Sequence, residues 1–341
     1  MRFLTPNFER DDGMNSENQI VLECQDLVAG YELKSGFVHA VDRVSFALRK
    51  GEFMGIAGES GCGKTTLAYA VMRLFRDNAK IKNGKILFLG TDITTLPEEK
   101  IKKVRWTQIS MVFQSAMNAL NPVLTVGQQL TDAYFAHKTS GSNQAKKRAL
   151  EVLKLVDIPS DRYNAYPHQL SGGMKQRVMI AMAMILQPEV IIMDEPTTAL
   201  DVVVQRTIIE KIQQLRQEFQ FSVIFITHDL SLLVEISDRL AIMYAGRIVE
   251  SGPAAFLFSQ PLHPYTKGLM SSFPSLTGEI IRMGGIEGKP PDLLNPPQGC
   301  RFHPRCKQSQ KQCFQKEPGL MEATPGHWVA CHYPNRSDAN E

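Results

Sequence analysis

The fold of this chain is decided by the stretch Gly58-Glu59-Ser60-Gly61-Cys62-Gly63-Lys64-Thr65-Thr66. It fits the pattern G-x-x-x-x-G-K-S/T and lies between the strand-like run FMGIAG and the helix-like run TTLAYAVMRLF. The backbone N–H groups of such a glycine-rich loop turn inward around phosphate oxygens, and the helix start adds the positive end of its dipole. We therefore expect these residues to bind a nucleotide, with Lys64 on the β- and γ-phosphates and Thr65 on Mg²⁺.

Two carboxylates end an apolar run further along the chain. The run Val190–Met193 is followed directly by Asp194 and Glu195. Burial of two charges is costly unless a cation or a metal-bound phosphate lies beside them. We expect Asp194 to hold Mg²⁺, directly or through water, and Glu195 to polarise the attacking water as the catalytic base. The alternative is that the pair only caps the helix that follows.

The order of the predicted elements indicates an α/β fold. Buried-strand runs at 189–196 and 221–229 flank an amphipathic segment at 202–219. Strand–helix–strand order with almost continuously apolar strands is typical of a parallel sheet covered on both faces. Residues 20–49 have strand and turn character, and helical spacing dominates about 115–185.

Composition suggests two unequal parts. The chain has 341 residues, of which 43% are hydrophobic and 21% charged, as in ordinary globular proteins of roughly two domains. We predict a large domain over 18–270, with a helical subdomain at about 115–185, and a small region over 271–335. Past Leu269 the Pro- and Gly-rich run GKPPDLLNPPQG predicts a linker or extended strap.

Charge and hydropathy exclude several classes of protein. The chain carries 38 basic and 35 acidic side chains, and the net charge of +3 is too small to indicate nucleic-acid binding. The longest uninterrupted apolar run, Val178–Leu186, is far shorter than the ~20 residues of a membrane-spanning helix. The N-terminal residues lack the apolar core of a signal peptide, so we expect a cytoplasmic location.

The segment Leu170-Ser171-Gly172-Gly173-Met174-Lys175-Gln176-Arg177 resembles the signature motif of ATP-binding cassette (ABC) ATPases. Its Ser171 and the N–H groups of Gly172 and Gly173 open a helix and form a second anion site. In the ABC family, two cassettes meet head to tail, and each signature helix closes over the nucleotide of the partner. The resemblance implies a P-loop NTPase cassette with a RecA-like parallel-sheet core, an antiparallel β subdomain and an α-helical subdomain.

Other residues match the family one by one. Gln114 in MVFQS resembles the Q-loop glutamine, which contacts Mg²⁺ and water and links the site to the membrane partner. His228 in ITHD resembles the catalytic switch histidine that contacts the γ-phosphate. Asp201 in TTALD resembles the D-loop aspartate that communicates across the dimer. Tyr31 is similar to the aromatic residue that stacks on adenine, although Phe37 could take that role.

Further segments resemble the peptide-importer branch of the family, which also includes relatives that handle nickel, antimicrobial peptides and saccharides. They are SAMNALNPVLTVGQQL after Gln114, PLHPYTKGL at 261–269 and GCRFHPRC near the C-terminus. The Asn- and Pro-rich segment at 115–127 suits an exposed docking loop for a transmembrane subunit. Its alternative is an ordinary connection.

Four cysteines crowd into the C-terminal region, namely Cys300, Cys306, Cys313 and Cys331. Disulfides are rare in a reducing cytosol, and four thiolates can hold zinc or an iron–sulfur cluster. The short knuckles usual for structural zinc are absent, and the spacing is similar to that of peptide-permease ATPases whose C-terminal region carries a 4Fe–4S cluster. We therefore expect a structural cluster here. Zinc, with His303 or His332 as possible substitutes, and free or paired thiols are the alternatives.

The resemblance implies an ATPase subunit that powers import of di- or oligopeptides, on the cytoplasmic face of the inner membrane. Its cofactors would be ATP, Mg²⁺ and the 4Fe–4S cluster. Its partners would be two transmembrane permease subunits, a second ABC ATPase (a related chain or a second copy) and an extracytoplasmic binding protein, with no nucleic acid. The alternatives are another cargo of the same importer class, a soluble ABC ATPase acting on ribosomes or DNA, and a nucleotide-binding regulator without turnover.

Overall fold

The computed structural model describes residues 19–75, 78–114, 119–138, 141–198, 200–271 and 285–335. Its strands are β1 (Ile20–Leu33), β2 (Gly36–Arg49), β3 (Phe53–Ala57), β4 (Ala79–Phe88), β5 (Thr91–Asp92), β6 (Ile109–Val112), β7 (Val190–Asp194), β8 (Ser222–Ile226), β9 (Arg239–Tyr244), β10 (Arg247–Pro253), β11 (Met321–Thr324) and β12 (His327–Val329). Its α-helices are α1 (Lys64–Met72), α2 (Glu98–Val104), α3 (Val126–Phe135), α4 (Ser142–Leu155), α5 (Gly172–Met184), α6 (Val202–Phe219), α7 (Leu230–Ile236), α8 (Ala254–Ser259), α9 (Pro264–Met270) and α10 (Lys311–Gln315). Short 3-10 helices occupy Ser160–Asn164, Pro167–Gln169 and His303–Arg305.

The larger sheet has the strand order β11-β12-β10-β9-β3-β8-β7-β6. The strands from β9 to β6 are parallel, and β10, β12 and β11 continue the sheet in antiparallel pairing. Every residue of β3, β7 and β8 is buried, as expected for parallel strands covered on both faces. The predicted parallel α/β core is therefore confirmed.

The carboxyl ends of β3, β6, β7 and β8 meet at one edge of this sheet. The phosphate-loop stretch follows β3, Gln114 lies just beyond β6, Asp194 ends β7 with Glu195 next to it, and His228 lies just beyond β8. Ligands of open parallel sheets bind at this edge, because the loops there diverge and leave a crevice. We call the phosphate loop, Gln114, Asp194, Glu195 and His228 together the nucleotide edge.

A second sheet is antiparallel, with the order β2-β1-β4-β5. It packs on α1 and on one face of the larger sheet through a shared apolar cluster that includes Val44, Phe46, Leu67, Val71 and Ile192. This arrangement positions the β subdomain against the helix that follows the phosphate loop.

Helices α3, α4 and α5 form a helical layer in the part of the chain expected to be helical. The Trp106 indole N–H ties this layer to the larger sheet by donating to the Met182 carbonyl at 2.6 Å. Within the layer, Arg148 of α4 donates to the carbonyls of Met184 and Ile185 at the end of α5. Residues 115–118 of the expected docking loop lie outside the described residues.

The C-terminal region joins the larger sheet through the pairing of β12 with β10. Beneath that pairing lies the fully buried Glu250, which accepts hydrogen bonds from the backbone N–H groups of Leu262 and His263 and contacts His327 Nε2 at 2.7 Å. The region therefore shares its core with the cassette. The division between 270 and 271 stays a prediction.

Candidate functional site

Two glycines let the phosphate loop pass close to neighbouring strands. Gly58 (φ +152°) and Gly63 (φ +109°) adopt backbone angles that side-chain-bearing residues rarely adopt. A Cβ at Gly58 would lie 2.2 Å from the Met243 carbonyl oxygen, and one at Gly63 would lie 1.9 Å from the Ala40 carbonyl oxygen. The glycine pattern of the sequence thus corresponds to a real steric requirement of the loop.

The loop is followed directly by α1, which begins at Lys64. The Lys64 ammonium is buried and donates to the carbonyls of Gly58 (2.7 Å) and Glu59 (3.0 Å). Cys62 packs beside it in the core, and burial raises the pKa of its thiol. The loop therefore carries a positive charge at its centre and a neutral thiol beneath it.

Tyr31, the residue expected to stack on adenine, lies next to the same helix. Its hydroxyl is 3.1 Å from the Thr66 hydroxyl, and its side chain is partly exposed. Phe37, the alternative, packs edge-on against His39 with the Lys82 ammonium over its ring. The contact with Thr66 places Tyr31 beside the loop, while its stacking on adenine stays a prediction.

The Asp194 carboxylate fits the expected magnesium site. It is fully buried, and neither of its oxygens has a hydrogen-bond partner of normal geometry among the described residues. Burial raises its pKa to about 6, and repulsion from Glu195 adds to this, while the nearby Thr65 hydroxyl and Lys64 ammonium oppose it. Such an unsatisfied carboxylate is costly by itself and suits a hard cation with oxygen ligands.

Glu195 is the meeting point of three loops. The Gln114 amide donates to Oε2 at 3.0 Å, the Thr198 hydroxyl donates to the same oxygen at 3.1 Å, and His228 Nδ1 lies 3.5 Å from Oε1. Its backbone φ of +46° is unusual for a residue with a side chain, and the chain changes direction here directly after β7 ends. The structure therefore brings together Gln114, Glu195 and His228, whose roles stay predictions, and adds Thr198, which sequence analysis missed.

The signature segment forms an exposed helix start. Ser171 caps α5 by accepting a hydrogen bond from the Met174 N–H at 3.3 Å, and Ser171 and Gly172 are exposed. A Cβ at Gly173 would approach the Val204 side chain to 2.7 Å, so glycine allows α5 and α6 to pack closely here. Asp201 caps α6 in the same way through the Val204 N–H at 3.0 Å.

Known proteins resemble this chain over most of its length. A family model described as "ABC transporter" matches residues 41–198. The chain is 45% identical over 314 residues to the dipeptide transport ATP-binding protein DppD of Bacillus subtilis, covering 91% of this chain and 94% of that protein. This chain belongs to the family of dipeptide and oligopeptide ABC transporter ATP-binding subunits.

Other relatives agree with this assignment. The oligopeptide transport ATP-binding protein OppD of Escherichia coli is 44% identical over 92% of this chain and 93% of its own length. A family model described as the C-terminal region of oligopeptide/dipeptide transporters matches residues 249–313. The dimeric ABC transporter cassette MJ0796 has a TM-score of 0.62 at 28% identity, covering 68% of this chain and 98% of that cassette. The ABC cassette fold is therefore confirmed.

In this ABC subunit, the C-terminal region touches the phosphate loop. Arg305 forms two hydrogen bonds with the Glu59 carboxylate, and the Tyr265 hydroxyl accepts the Glu59 N–H at 2.9 Å. Both residues lie in segments that sequence analysis singled out, PLHPYTKGL and GCRFHPRC, but without a role. No local signal could have paired them with a residue about 200 or more positions earlier.

The four C-terminal cysteines line one small cavity, together with His303 and His332. Burial raises the pKa of Cys300 to about 11 and that of Cys331 to about 12, and the neighbouring thiols add to both. The space open to a water molecule is about 10 Å³, which suits roughly one water. Within the described ranges, no three His, Cys, Asp or Glu side chains form a metal-binding group. The cysteines expected to hold the cluster therefore line one cavity, but they do not form a metal-binding group in this structure.

Proposed function

We propose that this chain is the ATP-hydrolysing subunit of an importer of di- or oligopeptides. The observation that carries the proposal is the convergence of Gln114, Glu195 and His228 beside the phosphate loop and beside the buried Asp194 carboxylate. Its relatives are named as dipeptide and oligopeptide transport ATP-binding proteins. A pure regulator would not need a base, a switch histidine and a metal-ready carboxylate at one edge.

The residues of the nucleotide edge divide the work of hydrolysis. The phosphate-loop N–H groups and Lys64 bind the phosphates, while Asp194, Thr65 and Gln114 would hold Mg²⁺. Magnesium, when bound, neutralises phosphate charge. Glu195 has to exchange its contacts with Gln114 and Thr198 for a water molecule, which it then orients and deprotonates. His228, whose side chain is two-thirds exposed, is free to turn towards a γ-phosphate.

A second cassette completes the site in this proposal. The exposed helix start at Ser171, Gly172 and Gly173 would close over the nucleotide of the partner, and Asp201 would lie at the interface. The exposed apolar side chains of Val202 (80%) and Val203 (75%), directly after Asp201, suit burial in such an interface. A related cassette has been solved as a dimer. The partner would be a distinct related chain or a second copy.

Membrane partners supply the path for the peptide. ATP-binding subunits of peptide importers work with membrane permeases and a substrate-binding protein. In the part of the chain that the structure describes, no helix is long and apolar enough to cross a bilayer. We propose two permease subunits, an extracytoplasmic binding protein, and a peripheral position on the cytoplasmic face of the inner membrane. The segment at 115–127 would dock on the permeases.

The test is peptide-stimulated ATP hydrolysis by the intact complex. The transporter is purified with its permeases, reconstituted in lipid, and given binding protein loaded with dipeptides, longer peptides, nickel or saccharides. Stimulation by peptides alone supports the proposal. Stimulation by another cargo would show that the chain serves another importer of this class. ATP hydrolysis that responds to ribosomes or DNA, but to no loaded binding protein, would overturn the proposal.

We also propose that residues 271–335 form a separate functional region whose cysteines hold a 4Fe–4S cluster. Cys300, Cys306, Cys313 and Cys331 line one cavity and would supply the thiolate ligands of the cluster. Anaerobically purified protein should be brown, bleach with reductant and contain iron and sulfide. Cys306→Ser should lose the iron, whereas Cys24→Ala, in the core of the β subdomain, should keep it. Colourless protein with stoichiometric zinc would reject the cluster.

A further inference from the structure

One residue of the phosphate loop is held mainly by the far end of the chain. The two η nitrogens of Arg305 donate to the two carboxylate oxygens of Glu59, at 2.7 and 2.9 Å. The Arg305 side chain is 5% exposed and that of Glu59 is 24% exposed. Two parallel hydrogen bonds between a planar guanidinium and a carboxylate fix both position and orientation. The Glu59 side chain is therefore tightly held.

Arg305 is itself fixed by contacts that leave it little freedom. Its Nε donates to the Glu287 carbonyl at 2.9 Å and Nη2 donates to the Ile286 carbonyl at 3.1 Å. Its guanidinium also lies over the Tyr244 ring, 5.8 Å from the centroid. A guanidinium bound on several sides cannot follow Glu59 if the loop moves. It acts as a fixed point for the loop.

The backbone of Glu59 is held as well. Its N–H donates to the hydroxyl of the fully buried Tyr265, and its carbonyl accepts from the Lys64 ammonium at 3.0 Å. The N–H of Glu59 therefore points at Tyr265. In the proposed site, the later N–H groups of the loop would bind the phosphates.

Electrostatics gives the pair a second role. Glu59 places a negative charge within the loop that has to bind a polyphosphate, and an unpaired carboxylate there would repel the ligand. Arg305 neutralises that charge. We propose that Arg305 is a positioning residue of the nucleotide site, which sets nucleotide affinity by holding Glu59 in place and cancelling its charge. This inference rests on the proposed function, because it deepens the role of the same site.

The cysteine cavity lies close to Arg305 along the chain. Arg305 ends the 3-10 helix His303–Arg305, between Cys300 and Cys306, which both line the cavity. Arg305 therefore connects the lining of this cavity with the phosphate loop.

The test measures binding of a non-hydrolysable ATP analogue with Mg²⁺ to the full chain by calorimetry. Arg305→Ala should weaken binding about tenfold, because it leaves a partly buried carboxylate unpaired beside the phosphates. Lys307→Ala is the matched control: Lys307 lies two residues away and pairs with Glu287 on the surface, with both side chains about 80% exposed. It should stay within about twofold of the unmodified chain.

A double-mutant cycle separates positioning from mere folding. In a Glu59→Gln background, Arg305→Ala should change affinity less than about twofold, because no charge is left unpaired. The tenfold loss should also shrink between about 50 mM and about 500 mM salt. If Arg305→Ala fails to fold, Arg305→Lys keeps the charge, loses the paired geometry and should give an intermediate loss.

Each outcome decides a different claim. An equal loss in both backgrounds, or a loss independent of salt, would overturn the positioning role. Normal binding by Arg305→Ala would overturn it too, while leaving the nucleotide site intact. If the unmodified chain itself does not bind the analogue, the proposed function fails.

Discussion

The nucleotide edge and the C-terminal region differ in how their polar side chains are paired. At the nucleotide edge, Asp194 is buried with no hydrogen-bond partner of normal geometry among the described residues, and His228 is largely exposed, so chemical groups are kept available. Where the C-terminal region joins the cassette, the buried Glu250 of β10 has three partners, and Arg301 pairs with both Asp42 and Glu317. Polar groups without partners remain able to bind ligands, whereas polar groups with partners stabilise the fold. Substitution of Glu195 should therefore alter turnover, and substitution of Glu250 should alter stability.

The largest effect is expected from Glu195→Gln. Loss of the base should slow ATP turnover by about 10²- to 10³-fold, while nucleotide still binds and the free energy of unfolding changes little. Turnover is measured in the reconstituted complex. The matched control is Glu189→Gln, an exposed glutamate at the opposite end of the same strand, which should keep normal turnover. Near-normal turnover by Glu195→Gln would remove Glu195 as the base.

The opposite behaviour is expected from Glu250→Ala. It removes a fully buried acceptor from two backbone N–H groups and His327, and should lower the free energy of unfolding by about 3–4 kcal/mol. Denaturant unfolding measures the loss, and hydrogen exchange at Val329 should rise because β12 loosens. Glu322→Ala, at an exposed glutamate of β11 on the other side of β12, should cost under about 1 kcal/mol. Equal costs would show that the buried contacts of Glu250 do not stabilise this part of the chain.

Asp194→Asn should stabilise the ligand-free chain. The carboxyl has a pKa of about 6 when folded and 3.8 as its ordinary value. Between these values the folded chain keeps a proton that the unfolded chain has lost, so stability falls as pH rises from about 4 to about 6. Asparagine removes this loss, and we expect a gain of about 3 kcal/mol at about pH 7 that disappears below about pH 4.

Thermal unfolding as a function of pH, with and without MgATP, checks this expectation. The variant should lose the stabilisation by MgATP that the unmodified chain has. Asp161→Asn, an exposed side chain (71%), serves as the control and should show no pH-dependent gain. A variant that is less stable at every pH would show that Asp194 is satisfied by contacts rather than kept available.

The smallest effect is expected from Trp106→Phe, which concerns neither region. It removes the indole donor to the Met182 carbonyl and keeps an aromatic ring, so the free energy of unfolding should fall by about 1 kcal/mol. The value sets the scale for an ordinary long-range hydrogen bond in this protein. A loss as large as that of Glu250→Ala would show that the C-terminal network is not exceptional.

Local patterns sufficed for the nucleotide edge, because its residues follow strands whose apolar runs are visible in the sequence. Strand β7 ends at Asp194 and helix α6 spans Val202–Phe219, both as expected. Thr198 was missed because a threonine carries no local mark of a hydrogen bond to Glu195. The assignments of Tyr31, Asp201 and the signature residues remain predictions, since their roles require nucleotide and a partner.

The C-terminal region was predictable only as a group of cysteines. Its arrangement depends on partners far away in sequence, such as Asp42 for Arg301 and Glu59 for Arg305, and no periodicity records such pairs. Irregular segments such as 285–302 also lack the repeating pattern from which helices and strands are inferred. The pairing of β12 with β10 could not be predicted for the same reason, because the register between strands more than 70 positions apart is fixed by packing.

The contact between Glu59 and Arg305 also has a consequence for protein synthesis. The two residues are 246 positions apart, so at ~5–20 residues per second the ribosome makes Glu59 roughly 12–50 s before its partner. During that interval the nascent chain carries a phosphate loop with an unneutralised carboxylate. If Arg305 sets nucleotide affinity as proposed, full affinity is reached only after Arg305 has been translated. We therefore expect a chain that ends before Arg305 to bind nucleotide more weakly than the full chain.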